Sequence, residues 1–165
     1  MENLAEYEED LGNYALERLG KIKGITIYGS KPRVAVISFN LEGVPHALLG
    51  AILCFEAGIG VRTGCFCAQN YVRKLLRLPE SEQYLQLFES NRMDKIPGMV
   101  RISLAAYNTR EEIDELARWL QKIAANPYEY RRRYRYSTAQ GSYIPVDMSY
   151  QKEIDRVYKR LMSRK

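Results

Sequence analysis

The chain has 165 residues, 46% of them hydrophobic and 27% charged, with a net charge of +5. That length suits one domain, with an appendage at most, and the apolar fraction is too high for a disordered chain. No run of about 18 apolar residues occurs, so no membrane-spanning helix is expected.

The opening stretch, Met1-Glu2-Asn3-Leu4-Ala5-Glu6, is acidic and has no apolar segment of a secretory signal. From about Asn3 to Leu19, the spacing of Leu4, Leu11, Ala15 and Leu19 predicts a helix. Glu6, Glu8, Glu9 and Asp10 in its first half favour the helix dipole. Ile25–Tyr28 reads as a short strand, and Gly29-Ser30-Lys31-Pro32 as a turn. Val34–Phe39 is apolar and β-branched enough for a buried strand. Pro45–Ala57 predicts a second helix with Leu48, Leu49, Ile52 and Leu53 inward, Phe55 off that stripe, and Gly58 just past its end. Ile59–Arg62 reads as a brief strand, Thr63–Cys67 as a turn, and Ala68–Leu78 as a helix stopped by Pro79. Met99–Leu104 is a strand with Val100, Ile102 and Leu104 on one face and Arg101 and Ser103 on the other. Thr109-Arg110-Glu111-Glu112 is a capping box opening a helix with Ile113, Leu116, Trp119, Leu120 and Ile123 inward.

Composition changes near Asn126-Pro127. From Tyr128 onward there are ten Lys/Arg against four Asp/Glu, and seven of the thirteen tyrosines. Tyr130–Tyr136 and Tyr143–Val146 flank Ala139-Gln140-Gly141-Ser142, which predicts a hairpin, and Gln151–Ser163 predicts a final amphipathic helix. Two zones follow: residues 1–126 as a domain and residues 127–165 as a basic extension. The order of elements implies an α/β or α+β fold around a small, mostly buried sheet.

Four features could carry chemistry. Cys65 and Cys67 are two residues apart in a Gly-containing turn. With one distant His46 they do not make a zinc set, and so close a pair does not form an unstrained disulfide. A turn thiol beside a cation, here Arg62, can serve as a nucleophile, although a structural cysteine is the simpler reading of the pair alone. Arg101, within an apolar strand, must reach water, a carboxylate or a ligand, and its planar fork suits a substrate carboxylate. A solvated Arg101/Ser103 strand face is the simpler reading of the residue alone. His46 sits at a helix start, where polar side chains usually satisfy backbone groups. The Tyr/Arg tail could track a nucleic acid, but no nucleic-acid fold signature accompanies it, and rings packed on the domain are favoured. With three cysteines, too few for a disulfide framework, a reducing, cytoplasmic setting is expected.

The stretch Ile59-Gly60-Val61-Arg62-Thr63-Gly64-Cys65-Phe66-Cys67-Ala68 resembles the small-domain segment of class V aminotransferase-like enzymes, above all cysteine desulfurases and selenocysteine lyases. Val36–Val44, Val100–Glu112 and the helix through Tyr14–Leu19 resemble further blocks of that family, so the likeness covers roughly residues 3–125. It implies a small, mostly antiparallel sheet covered by helices, like the small C-terminal domain of fold-type I pyridoxal phosphate enzymes. It further implies that Cys67 is the catalytic cysteine, receiving sulfur as a persulfide. The resemblance also implies that Arg101 binds the amino-acid carboxylate and that Arg62 flanks the same site. The substrate implied is cysteine or selenocysteine, and the complete enzyme a homodimer.

Cys65-Phe66 departs from the polar pair that often precedes the cysteine in sulfur-mobilising desulfurases, which leaves a transaminase or another pyridoxal phosphate lyase as alternatives. A nucleic-acid-binding or non-catalytic interaction module using the tail is the alternative of another class. The family's cofactor lysine and phosphate cradle have no counterpart among Lys21, Lys23 or Lys31. The expectation is therefore a C-terminal domain that binds no pyridoxal phosphate and is inactive alone, its cofactor held by a partner domain upstream.

Overall fold

The computed structural model describes residues 2–30, 34–78 and 83–147. Helix α1 (Glu2–Gly20) is amphipathic from Leu11 onward: Leu11, Ala15 and Leu19 are fully buried, whereas Leu4 is exposed, so the inward stripe starts a turn and more later than its spacing suggests. Strands β1 (Ile25–Tyr28) and β2 (Val36–Leu41) pair antiparallel, with Ile27 opposite Phe39 and Tyr28 opposite Ser38. Helix α2 (His46–Ala57) buries Leu48, Leu49, Ile52 and Leu53 as its stripe requires. Pro45 caps it from outside rather than forming its first turn, and Gly58, at φ 67°, closes it with a left-handed residue.

Strand β3 is Arg62–Gly64, displaced from the predicted Ile59–Arg62. The left-handed Gly58 turns the chain so that Ile59 and Val61 rest against the core outside any strand. Helix α3 (Gln69–Leu75) is shorter than the predicted Ala68–Leu78, and α4 (Gln83–Glu89) and a 3-10 turn at Met93–Lys95 fill a region where no periodicity announced them. Strand β4 (Met99–Ser103) lies between β2 and β3, giving a four-stranded antiparallel sheet of order β1-β2-β4-β3.

Pairing register sorts side chains between the faces, because partners across a ladder point the same way. Ile27, Phe39, Val100 and Thr63 form one row across the four strands, and Tyr28, Ser38, Arg101 and Arg62 form the next. The apolar face packs on α1, α2 and α5 (Arg110–Ala125), which starts at the capping box of Thr109 and Glu112. Gly50 lets α2 approach the edge strand, since a Cβ there would lie 2.4 Å from the Thr63 methyl. Trp119 is only half buried, and its indole N–H donates to Glu115 at 2.8 Å.

After Asn126, the Tyr/Arg run is first a helix, α6 (Pro127–Arg132), and only then a strand, β5 (Tyr134–Ser137). Pro127 suits a first helical turn, and burial of Tyr130 overrides the strand-like alternation. The predicted hairpin forms between β5 and β6 (Ser142–Pro145), with Ser137 opposite Ser142. The helix expected over Gln151–Ser163 lies outside the described residues. Among those described, no helix is long and apolar enough to cross a membrane.

Candidate active site

The face of the sheet opposite the helices carries Arg101 and Arg62 directly across the β4–β3 ladder. Arg101 is half-buried and Arg62, on the edge strand, is exposed. The Phe66 ring lies 4.9 Å from the Arg101 guanidinium carbon, a cation–π contact that ties the cysteine turn to this arginine. Arg101 Nε is buried without a hydrogen-bond partner among the described residues. A guanidinium cannot shed its charge, so a buried, unsatisfied donor beside a second arginine suits an anionic ligand.

The turn after β3 is built tightly. Ala68 N–H donates to the Cys65 carbonyl at 2.8 Å, and both Phe66 and Cys67 adopt left-handed backbone, at φ 53° and 61°. The two thiols part company there. Cys65 is half-buried, its Sγ donates to the Pro97 carbonyl at 3.4 Å, and burial pushes its thiol above the usual range. Cys67 is exposed.

Three successive carbonyls leading into β4 each accept from a different element. Ile96 is bonded by His46 Nε2 at 2.9 Å, Pro97 by Cys65, and Gly98 by Asn40 Nδ2 at 3.0 Å. Burial holds the His46 ring below its ordinary pKa, against the opposing pull of the Ile96 carbonyl, so the neutral ring donates from Nε2. His46 thus serves the backbone, as a helix-start polar residue does. These pins fix the cysteine turn to the strand that bears Arg101. Sequence reasoning missed Phe66 and Asn40; the alternation of β2 does place Asn40 on the Ser38 face, which was the available signal.

A cavity of about 680 Å³ opens along the β3 edge, lined by Arg62, Cys65, Phe66 and Cys67, and on the other side by α2 and the β5–β6 hairpin. Among the described residues, no lysine lines this cavity or the arginine row. These residues therefore do not fit pyridoxal phosphate, whose aldehyde requires one. Among the described residues, no cluster of His, Cys, Asp and Glu suits a metal ion.

A small antiparallel sheet with helices on one face and a cysteine turn beside paired arginines make up an α/β domain. The class-V aminotransferase family matches residues 1–116, and the chain belongs to that family. Cysteine desulfurases of Escherichia coli O8 (strain IAI1) and of E. coli strain K12 / DH10B are each 39% identical over 123 residues, which is 74% of this chain and 25% of theirs. The chain thus spans about a quarter of the length of these relatives. The apo cysteine desulfurase of Thermococcus onnurineus NA1 superposes with a TM-score of 0.57 at 24% identity, over 74% of this chain and 26% of that one. The E. coli desulfurase CsdA, in its S-sulfonic acid form, gives 0.54 at 22%, over 74% and 25%. Both share the fold.

Proposed function

We propose that this chain supplies the carboxylate clamp and the sulfur-accepting thiol of a cysteine desulfurase. Class V aminotransferases are pyridoxal phosphate enzymes; in this reading the cofactor is held by residues other than those lining this face, and no step is assigned to it. Arg101 grips the α-carboxylate of cysteine through its fork, and Arg62 adds positive charge from the neighbouring strand. Cys67 takes the sulfur: the substrate carbon–sulfur bond breaks, a sulfur–sulfur bond forms on Cys67 Sγ, and the thiol's proton ends on the substrate carbon. Alanine leaves, and Cys67 holds a persulfide. Selenocysteine offers the same carboxylate and a softer atom to the same clamp.

The observation that carries this reading is the Phe66–Arg101 contact, because it joins the residue next to Cys67 to the arginine facing Arg62. In the desulfurase that contains this chain with its cofactor, Cys67→Ala abolishes sulfur release from cysteine and Cys65→Ala retains it. Arg101→Lys raises KM about tenfold or more, since a point charge replaces a bidentate fork. Sulfur release at the parental rate from both cysteine variants would exclude the desulfurase reading and favour a transaminase.

A further inference from the structure

The family match ends at residue 116, yet the cavity beside Cys67 is completed by residues beyond it. Gly141, Ser142 and Tyr143 of the β5–β6 hairpin form one of its walls. That wall is anchored at both ends. Tyr134, 7% exposed, donates its hydroxyl to Glu56 of α2 at 3.2 Å. Tyr136 donates to the Asn91 carbonyl at 2.6 Å and accepts from Met93 N–H at 3.0 Å, while the Asn91 side chain donates to the Thr138 carbonyl. The Tyr143 ring meets Tyr136 edge-on, with centroids 5.3 Å apart. A wall fixed in this way sets the size of what enters from its side.

The rest of the lining has a definite chemistry. Phe55 and Phe88 are 41% and 60% exposed, and both line this one cavity. Exposed large apolar side chains that gather around one concavity mark a ligand surface, whereas scattered ones need no explanation. The volume of about 680 Å³ falls in the range of roughly 300–1,000 Å³ typical of small-molecule pockets, which are mostly apolar with a few polar groups. Here His46, Arg62, Gln69 and Ser142 are among the polar members, and Cys67 is the exposed thiol of the turn.

We propose that this cavity receives a small-molecule sulfur acceptor, a thiol with an apolar body, and that the hairpin wall determines its specificity. The proposal rests on Cys67 carrying sulfur. The acceptor's thiolate attacks the outer sulfur of the Cys67 persulfide and forms a new sulfur–sulfur bond. The bond between that sulfur and Cys67 Sγ breaks, Cys67 leaves as a thiolate, and the proton given up by the acceptor ends on it. The acceptor departs as a persulfide, with no outside oxidant or reductant.

The test uses the full chain carrying Cys54→Ser and Cys65→Ser, with Cys67 loaded by inorganic polysulfide. Transfer to phenylmethanethiol is compared with transfer to mercaptoethanol, a thiol of similar acidity without an apolar body. The expected result is saturable transfer to phenylmethanethiol, roughly tenfold faster at equal low concentration, as an apolar pocket discriminates. Ser142→Trp fills the cavity and Phe88→Glu charges its wall. Each removes the preference, bringing the ratio of the two transfer rates close to one, and both positions are exposed enough to spare the fold. Equal, non-saturating transfer from a loaded Cys67 would overturn the acceptor site and leave the sulfur-carrying role of Cys67 intact. If polysulfide leaves no sulfur on Cys67, both fall.

Discussion

Cys65 and Cys67 line one cavity, but their surroundings assign them different chemistry. The thiolate is the nucleophile, so a thiol that donates to a carbonyl and is pushed up by burial is protected. Cys65 donates to the Pro97 carbonyl and burial pushes its thiol up, whereas Cys67 is exposed at the apex of its turn. The turn itself is strained: left-handed backbone at two successive residues with side chains costs on the order of 1–3 kcal/mol each. The Phe66–Arg101 contact offsets part of that cost, about 0.5–2 kcal/mol, so the arginine that suits a carboxylate also helps to hold Cys67 in place. Iodoacetamide at about pH 7.5 should alkylate Cys67 about tenfold faster than Cys65 or more. Timed quenching with peptide mass spectrometry reads the two sites separately. Equal rates would mean that the Pro97 contact does not protect Cys65.

At the scale of elements, the lead-in to β4 decides where the site sits. Gly98 is buried, and a Cβ on it would lie 2.7 Å from Gly64 Cα and 2.9 Å from His46 Nε2. Backbone cannot yield as a flexible side chain does, so Gly98→Ala should destabilise the fold by about 1–3 kcal/mol. Gly60→Ala, with nothing within 4 Å of its new Cβ, is the control and should cost far less. Urea unfolding of both variants checks this, and equal midpoints would refute the close approach. None of this packing was legible in the sequence, because the three pinned carbonyls join residues more than thirty positions apart. What could be read was local: the alternation of β2 and β4, the stripe of α2, and the capping box of α5. Arg101 was legible as an anomaly in an apolar strand. Its closeness to Arg62 followed only from the family resemblance, since the cross-strand register depends on tertiary packing. The alternating Tyr/Arg run reads as strand throughout, and Pro127 at the helix start together with the burial of Tyr130 explains why its first half is helical.

Over the whole molecule, residues 127–147 of the basic segment are drawn onto a nearly neutral remainder by a few well-placed contacts. Arg133 reaches Glu56 at 3.1 Å and also pairs with Glu129, and Glu56 accepts from the Tyr134 hydroxyl as well. Exposed ion pairs contribute little each, so the attachment rests on burial. Tyr130 and Tyr134 join the same core as Leu53, Ile123 and Phe39, and Ile144 is 5% exposed. Fully burying such side chains contributes roughly 1.5–3 kcal/mol apiece, an upper bound because unfolded chains already shield some apolar surface. Against a domain stability of about 5–15 kcal/mol, losing three of them is a large fraction. A chain ending at Asn126 should therefore unfold at a clearly lower urea concentration than one ending at Asp147. The second endpoint keeps α6 and the hairpin, so the difference isolates their contribution from that of residues further on. The shorter chain should also lose the apolar thiol preference at Cys67, because the wall formed by Ser142 and Tyr143 goes with the hairpin. Coincident unfolding midpoints would show that the segment only rests on the surface, and an unchanged thiol preference would remove it from the cavity.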